Sequence, residues 1–160
     1  MTAIVLLAGC SGGLESFYIP SCANYPTLQA GYHIEVRKPA GPVHRGDFVV
    51  YKSQLSPQGL PTPSDFVFRV VGLPGEQIGT VNGRVTINGR LLPEPYLPPA
   101  TTTDNLHDQV IPAGNYFVLG DNRSDAADSR SVGPIPTKSI IGKSVAVKKG
   151  KPADGISCPQ

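Results

Sequence analysis

The side chains best suited to covalent chemistry are a hydroxyl and a thiol side by side, Ser21 and Cys22, and a charged set far downstream, Asp121, Arg123, Asp128 and Arg130. A serine or cysteine nucleophile needs a base to take its proton and donors facing the oxyanion that develops. No Lys or His stands in a motif position to turn Cys22 into a thiolate. In an extended segment, moreover, its thiol faces away from the place a group at residue 23 would reach. Asp121, Arg123, Asp128 and Arg130 have the types of catalytic acids and bases, although such groups equally well pair with one another to hold a loop. His33, His44 and His107 are scattered, and Asp104 with His107 and Asp108 makes a loose group that reads as surface loop. No metal site and no cofactor is expected.

The elements that position these groups are short strands. Gly and Pro supply 18 and 17 of the 160 residues, a composition that favours strands joined by tight turns and makes a mainly β fold the expectation. Phe17-Tyr18-Ile19 suits a strand, and Pro20 and Pro26, each without an N–H donor, make it an edge or end it there. An open edge of this kind can pair with an extended peptide. Alternation predicts further strands at 32–37 and 47–52. The apolar run Asp65-Phe66-Val67-Phe68-Arg69-Val70-Val71 predicts a strand covered on both faces. Asn82-Gly83 and Asn88-Gly89 are the residues of type I′ hairpin turns. Tyr116-Phe117-Val118-Leu119 delivers Gly120-Asp121-Asn122-Arg123, while 140–141 and 144–147 read as closing strand material.

The formal net charge of +2, from 14 basic and 12 acidic residues, gives no basic patch of the kind that binds nucleic acid, and 39% hydrophobic residues can fill one core. No stretch of 18 apolar residues spans a membrane. The opening Met1 to Cys10 ends in Leu-Ala-Gly-Cys, which looks like a lipoprotein cleavage box with Cys10 as the lipidated residue; its shortness leaves a membrane-anchor remnant as an alternative for 1–15. Either places the remainder outside the cytoplasmic membrane. Cys22 and Cys158 are then a possible disulfide pair, or two free thiols.

Three stretches in order carry a resemblance: Pro20-Ser21-Cys22-Ala23-Asn24-Tyr25-Pro26-Thr27-Leu28, Arg69-Val70-Val71-Gly72-Leu73-Pro74-Gly75-Glu76, and Gly120-Asp121-Asn122-Arg123-Ser124-Asp125-Ala126-Ala127-Asp128-Ser129-Arg130. The chain from about 16 to 147 resembles the bacterial type I signal peptidases, which are serine/lysine peptidases. The resemblance implies an antiparallel β core from 16–76 and 112–147, a small hairpin insertion at 77–111 removable at little cost, and a mobile tail at 148–160. It also implies where the family's nucleophilic serine, its general-base lysine and the serine that hydrogen-bonds the lysine should stand. Those positions hold Ala23, Phe68 and Ala126. Ser21 matches a residue that helps hold the oxyanion, and Asp121, Arg123, Asp128 and Arg130 match a structural set that binds one another and nearby backbone.

The expectation is therefore a catalytically inactive member. It would bind an extended peptide, or an exported or pilus-type subunit, along Phe17, Tyr18, Ile19, Pro20, Ser21, Val67 and Phe68, at the outer, membrane-proximal face, with an active paralogue as a further candidate partner. The alternative is an active endopeptidase using displaced residues.

Overall fold

The computed structural model describes residues 13–55, 63–151 and 156–158. Cys10 and the rest of the expected lipobox lie outside them, and among the described residues no helix is long and apolar enough to cross a membrane.

Two antiparallel sheets account for nearly all regular structure. The larger is built from β1 (Gly13–Tyr18), β2 (His33–Lys38), β3 (Phe48–Ser53), β4 (Ser64–Gly72), β9 (Asn115–Leu119), β10 (Ile135–Pro136) and β11 (Ile140–Lys148), in the spatial order β1-β2-β11-β3-β4-β9-β10. The smaller holds β5 (Gln77–Val81), β6 (Arg84–Ile87), β7 (Arg90–Leu91) and β8 (Gln109–Val110), ordered β7-β6-β5-β8. The last long strand thus inserts between β2 and β3, so the core is complete only when the chain has nearly ended. The two closing segments expected separately are this one strand, whose register shifts between Ile140 and Gly142 and between Ser144 and Ala146.

The predicted hairpins are present. Asn82 and Gly83 have φ of 50° and 72°, and Asn88 and Gly89 of 51° and 75°, the left-handed pairs that let two short strands turn without splaying.

The β4 strand is covered on both faces, as its apolar run predicts. Val67 lies opposite Val50 and packs with Ile19, Leu28, Ile34, Val36 and Phe48. Phe68, opposite Val49, belongs to the other face with Tyr51, Val70, Val118 and Ile135. A third cluster joins Val71, Phe117 and Leu119 of the core to Ile78 and Val85 of the smaller sheet and to Leu106 and Ile111 beside it. Gly72 sits in that seam so closely that a Cβ there would lie 2.2 Å from Ile111 Cδ1. The insertion is therefore part of the same hydrophobic interior, and the expectation that it is cheaply removable is wrong: its loss would expose side chains worth roughly 1.5 to 3 kcal/mol each.

The segment expected as a mobile tail is also anchored. Cys158 is disulfide-bonded to Cys22, their Cα atoms 5.3 Å apart, and a Cβ on Gly150 would lie 2.1 Å from the Gly31 carbonyl oxygen.

Candidate functional site

A cleft of about 420 Å³ opens between the end of β1 and the first half of β4. Phe17, Tyr18, Ile19, Pro20 and Ser21 form one wall and Asp65 to Phe68 the other, with Asn24 between and Asp125 and Ala127 at the rim. Every residue expected to bind peptide lines it. Ile19 and Phe68, each 3% exposed, spend almost their whole surface on the core and form the base of the walls; Pro20 and Ser21 are exposed.

The geometry of β4 explains the second wall. Along 64–69 it pairs with β3, and β9 takes up its other edge only from Arg69 onward, so that among the described residues no strand borders 65–68 on that side. Asn24 reaches this edge, its Nδ2 donating to the Val67 carbonyl at 2.8 Å. Its own Oδ1 is buried and has no partner among the described residues.

Residues 21–28 turn instead of continuing as a strand, with the N–H of Tyr25 donating to Cys22 O at 3.0 Å and that of Leu28 to Asn24 O at 2.8 Å. The argument that Cys22 faces away because the segment is extended does not hold. What removes its thiol from chemistry is the disulfide.

Ala23, Phe68 and Ala126 converge on Gly120. A Cβ placed there would lie 2.4 Å from Ala126 Cβ, 2.4 Å from Ala23 O and 3.2 Å from the Phe68 ring. Only a residue without a side chain lets these groups meet. Ala23 and Ala126 pack against the cluster that contains Phe68, and the Phe68 ring stacks with Phe66, centroids 6.4 Å apart and planes 18° apart. Tyr51 adds a third ring, 5.9 Å from Phe66 and 6.4 Å from Phe68. Burial, reinforced by the Asp128 charge, pushes the Tyr51 phenol well above its ordinary range. No lysine, arginine or histidine lines the cleft.

The loop that carries Ala126 is held by charge pairs and by bonds to nearby backbone, and two of its charged residues, expected to bind one another and nearby backbone, also reach outside the loop. Asp121 is clasped from outside the loop, by Arg69 Nε at 2.8 Å and Nη2 at 2.7 Å, and the guanidinium lies between the rings of Phe48 at 4.3 Å and Tyr96 at 3.9 Å. Arg123 pairs with Glu94 of the insertion and also donates to Gly120 O at 3.1 Å. Only Asp128 and Arg130 pair within the loop, Nε to Oδ1 at 2.8 Å, while Asp128 Oδ2 accepts from Gly120 N–H at 3.0 Å. Asp128 also caps the short helix α1 (Ser129–Val132). Asn122 ties the loop to the turn, its N–H donating to Ala23 O and its Nδ2 to Cys22 O, both at 3.1 Å.

Sequence reasoning missed Asn24, Glu94 and Tyr96. Asn24 sits inside a recognised motif and was open to notice as the one amide there. Glu94 and Tyr96 lie in a proline-dense stretch with no periodicity, so nothing in the sequence marked them as partners of Arg123 and Arg69.

Comparison with known proteins bears on the family and the fold. A family model described as signal peptidase, peptidase S26, matches residues 1–148. A signal peptidase I of Leptolyngbya laminosa is 38% identical over 138 residues, covering 82% of this chain and 66% of the relative. A signal peptidase I of Bacillus caldolyticus is 35% identical over 145 residues, covering 81% of this chain and 76% of the relative. The crystal structure of a signal peptidase I from Enterococcus faecalis V583 matches with a TM-score of 0.52 at 27% identity, over 65% of this chain and 97% of that one. The chain spans about two thirds of the length of the first of these relatives.

Proposed function

The chain belongs to the signal peptidase S26 family, and from that membership we propose that it is a non-catalytic member that holds an extended peptide without cutting it. One observation carries this reading: the groups meeting at Gly120 are a methyl, a phenyl ring and a backbone carbonyl. Amide hydrolysis needs a nucleophile with a lone pair and a base to deprotonate it. Ala23, Phe68 and Ala126 supply neither. Ser21 retains a hydroxyl on the cleft wall, where it could donate to a bound carbonyl oxygen, but no amine or imidazole lines the same cleft to activate it.

Binding draws on what is left. The edge of β4 along 65–68, which no described strand borders, offers backbone groups to an added strand, and the aromatic and apolar side chains of the two walls would cover alternate side chains of that strand. The ligand we propose is an exported protein segment, such as the terminus of a pilus-type subunit, presented on the outer side of the cytoplasmic membrane, with an active paralogue doing any cutting. The disulfide between Cys22 and Cys158 supports an oxidising compartment.

The test combines turnover with mapping. Purified protein incubated with a preprotein for long times should leave it intact, and a signal-peptide-like ligand should shift amide resonances of residues 17–23 and 66–70. Cleavage that disappears in Ser21→Ala would instead establish an active endopeptidase with displaced residues. Absence of any localised shift would remove the binding role.

A further inference from the structure

Resting on the peptide-binding reading above, we infer that Asn24 is an internal competitor for the bound peptide: its side-chain amide occupies, on the open edge of β4, a carbonyl that an added strand would use. The direction of each backbone group along β4 follows from its neighbours. Val70 N–H donates to Asp47 O and Val70 O accepts from Gly46 N–H, both at 2.8 Å, so this residue turns its polar groups toward the β3 side. In an antiparallel ladder these directions alternate residue by residue. Phe66 and Phe68 therefore face β3 as Val70 does, while Asp65 and Val67 face the other way, where no described strand borders them. Along 65–68 the edge can thus offer a ligand only the N–H and C=O of Asp65 and Val67.

One of these acceptors is already in use, since Asn24 Nδ2 donates to Val67 O at 2.8 Å. Asn24 is 4% exposed and lines the cleft, so its amide stands where the N–H of an added strand would arrive. The hold is a single one. Asn24 Oδ1 has no partner among the described residues, and one hydrogen bond is all that fixes the amide group. The backbone of Asn24 is secured separately, its carbonyl accepting from Leu28 N–H at 2.8 Å, so the side chain can rotate off Val67 without undoing the turn. A peptide N–H that takes Val67 O then replaces one hydrogen bond by another, and the exchange adds little affinity. With an apolar side chain at 24 the same N–H becomes a net gain. Asn24 in this way weakens strand addition and makes the cleft indifferent to one N–H of its ligand.

The test uses the whole chain and the signal-peptide-like ligand above, fluorescent and capped at both ends. A set of analogues carries an ester in place of one backbone amide at a time, each lacking that N–H. Asn24→Ala should bind the parent peptide about three- to tenfold more tightly than the unaltered protein, the worth of one added hydrogen bond, and the gain should vanish in a single ester analogue. The unaltered protein should lose little with that same analogue. Saturating peptide should also speed hydrogen exchange of the Asn24 side-chain amide in the unaltered protein, a readout that needs no variant. Equal or weaker binding by folded Asn24→Ala, or a gain that survives in every ester analogue, overturns the inference while peptide binding stands. Side-chain exchange that is unchanged or slowed at saturation does the same. Binding of the peptide by neither protein overturns both.

Discussion

The ring of Phe68 lies stacked on that of Phe66, two residues earlier on the same strand face, and closes against Gly120 and Ala126. The pair makes this wall of the cleft an aromatic interior.

Adding a hydroxyl alone should therefore bring no activity: Ala23→Ser is expected to fold normally and leave a preprotein uncut. Phe68→Lys, by contrast, puts an amine where the ring is 3% exposed. It should lower stability by on the order of 3 to 5 kcal/mol, the range for losing a buried aromatic side chain, seen as a fall in the midpoint of urea denaturation. Measurable cleavage by Ala23→Ser alone would contradict the reading of the site.

Arg69 and Asp121 form a buried bidentate pair between two rings, so removing one partner strands the other. Asp121→Asn should destabilise by about 3 to 5 kcal/mol. Arg69→Met together with Asp121→Leu should cost much less than the two single changes added, because no uncompensated charge remains. A double-mutant cycle by chemical denaturation measures this directly; additivity would mean the two charges act separately.

The disulfide between Cys22 and Cys158 spans a sequence separation of 136 residues. Constraint of the unfolded chain over such a loop is worth roughly 5 kcal/mol in the loop-entropy account. Reductant, or Cys158→Ser, should lower the thermal midpoint without changing the β signature in far-ultraviolet circular dichroism. An unchanged midpoint would show that the bond adds little.

Two of the six tyrosines should resist alkaline titration. Burial pushes the phenol of Tyr51 up, aided by Asp128, and that of Tyr96 up, aided by its hydrogen bond to Glu94. A raised folded-state value means that the neutral phenol is favoured by the fold. Its contribution is complete below the ordinary phenol range near 10 and is lost as pH climbs above it. Absorbance near 295 nm should show the phenols of Tyr51 and Tyr96 ionising only as the protein unfolds. Six equivalent phenols would contradict the burial of Tyr51 and Tyr96.

The strands and both hairpin turns were legible because they rest on local rules: alternation along 33–38, a doubly apolar run along 64–72, and Asn-Gly pairs at 82 and 88. The walls of the cleft were legible because the motif residues carried their positions with them. Pairings across the chain were not. Asp121 finds Arg69 and Arg123 finds Glu94 because the sheet order places β9 beside β4 and the insertion against both, and no spacing along the sequence encodes that proximity. Pro20 and Pro26 mark a turn after the strand of Phe17 to Ile19, but not the bonds that curl it, which run from Tyr25 and Leu28 back to Cys22 and Asn24, so that Cys22 and Ala23 are not neighbours in an extended segment.

The bond between the first motif and the far end of the chain also makes most of the molecule a single covalent ring. A protease nick anywhere between Cys22 and Cys158 would leave one piece on a non-reducing gel and two on a reducing one. A surface loop could thus be cut without either part of the protein being released.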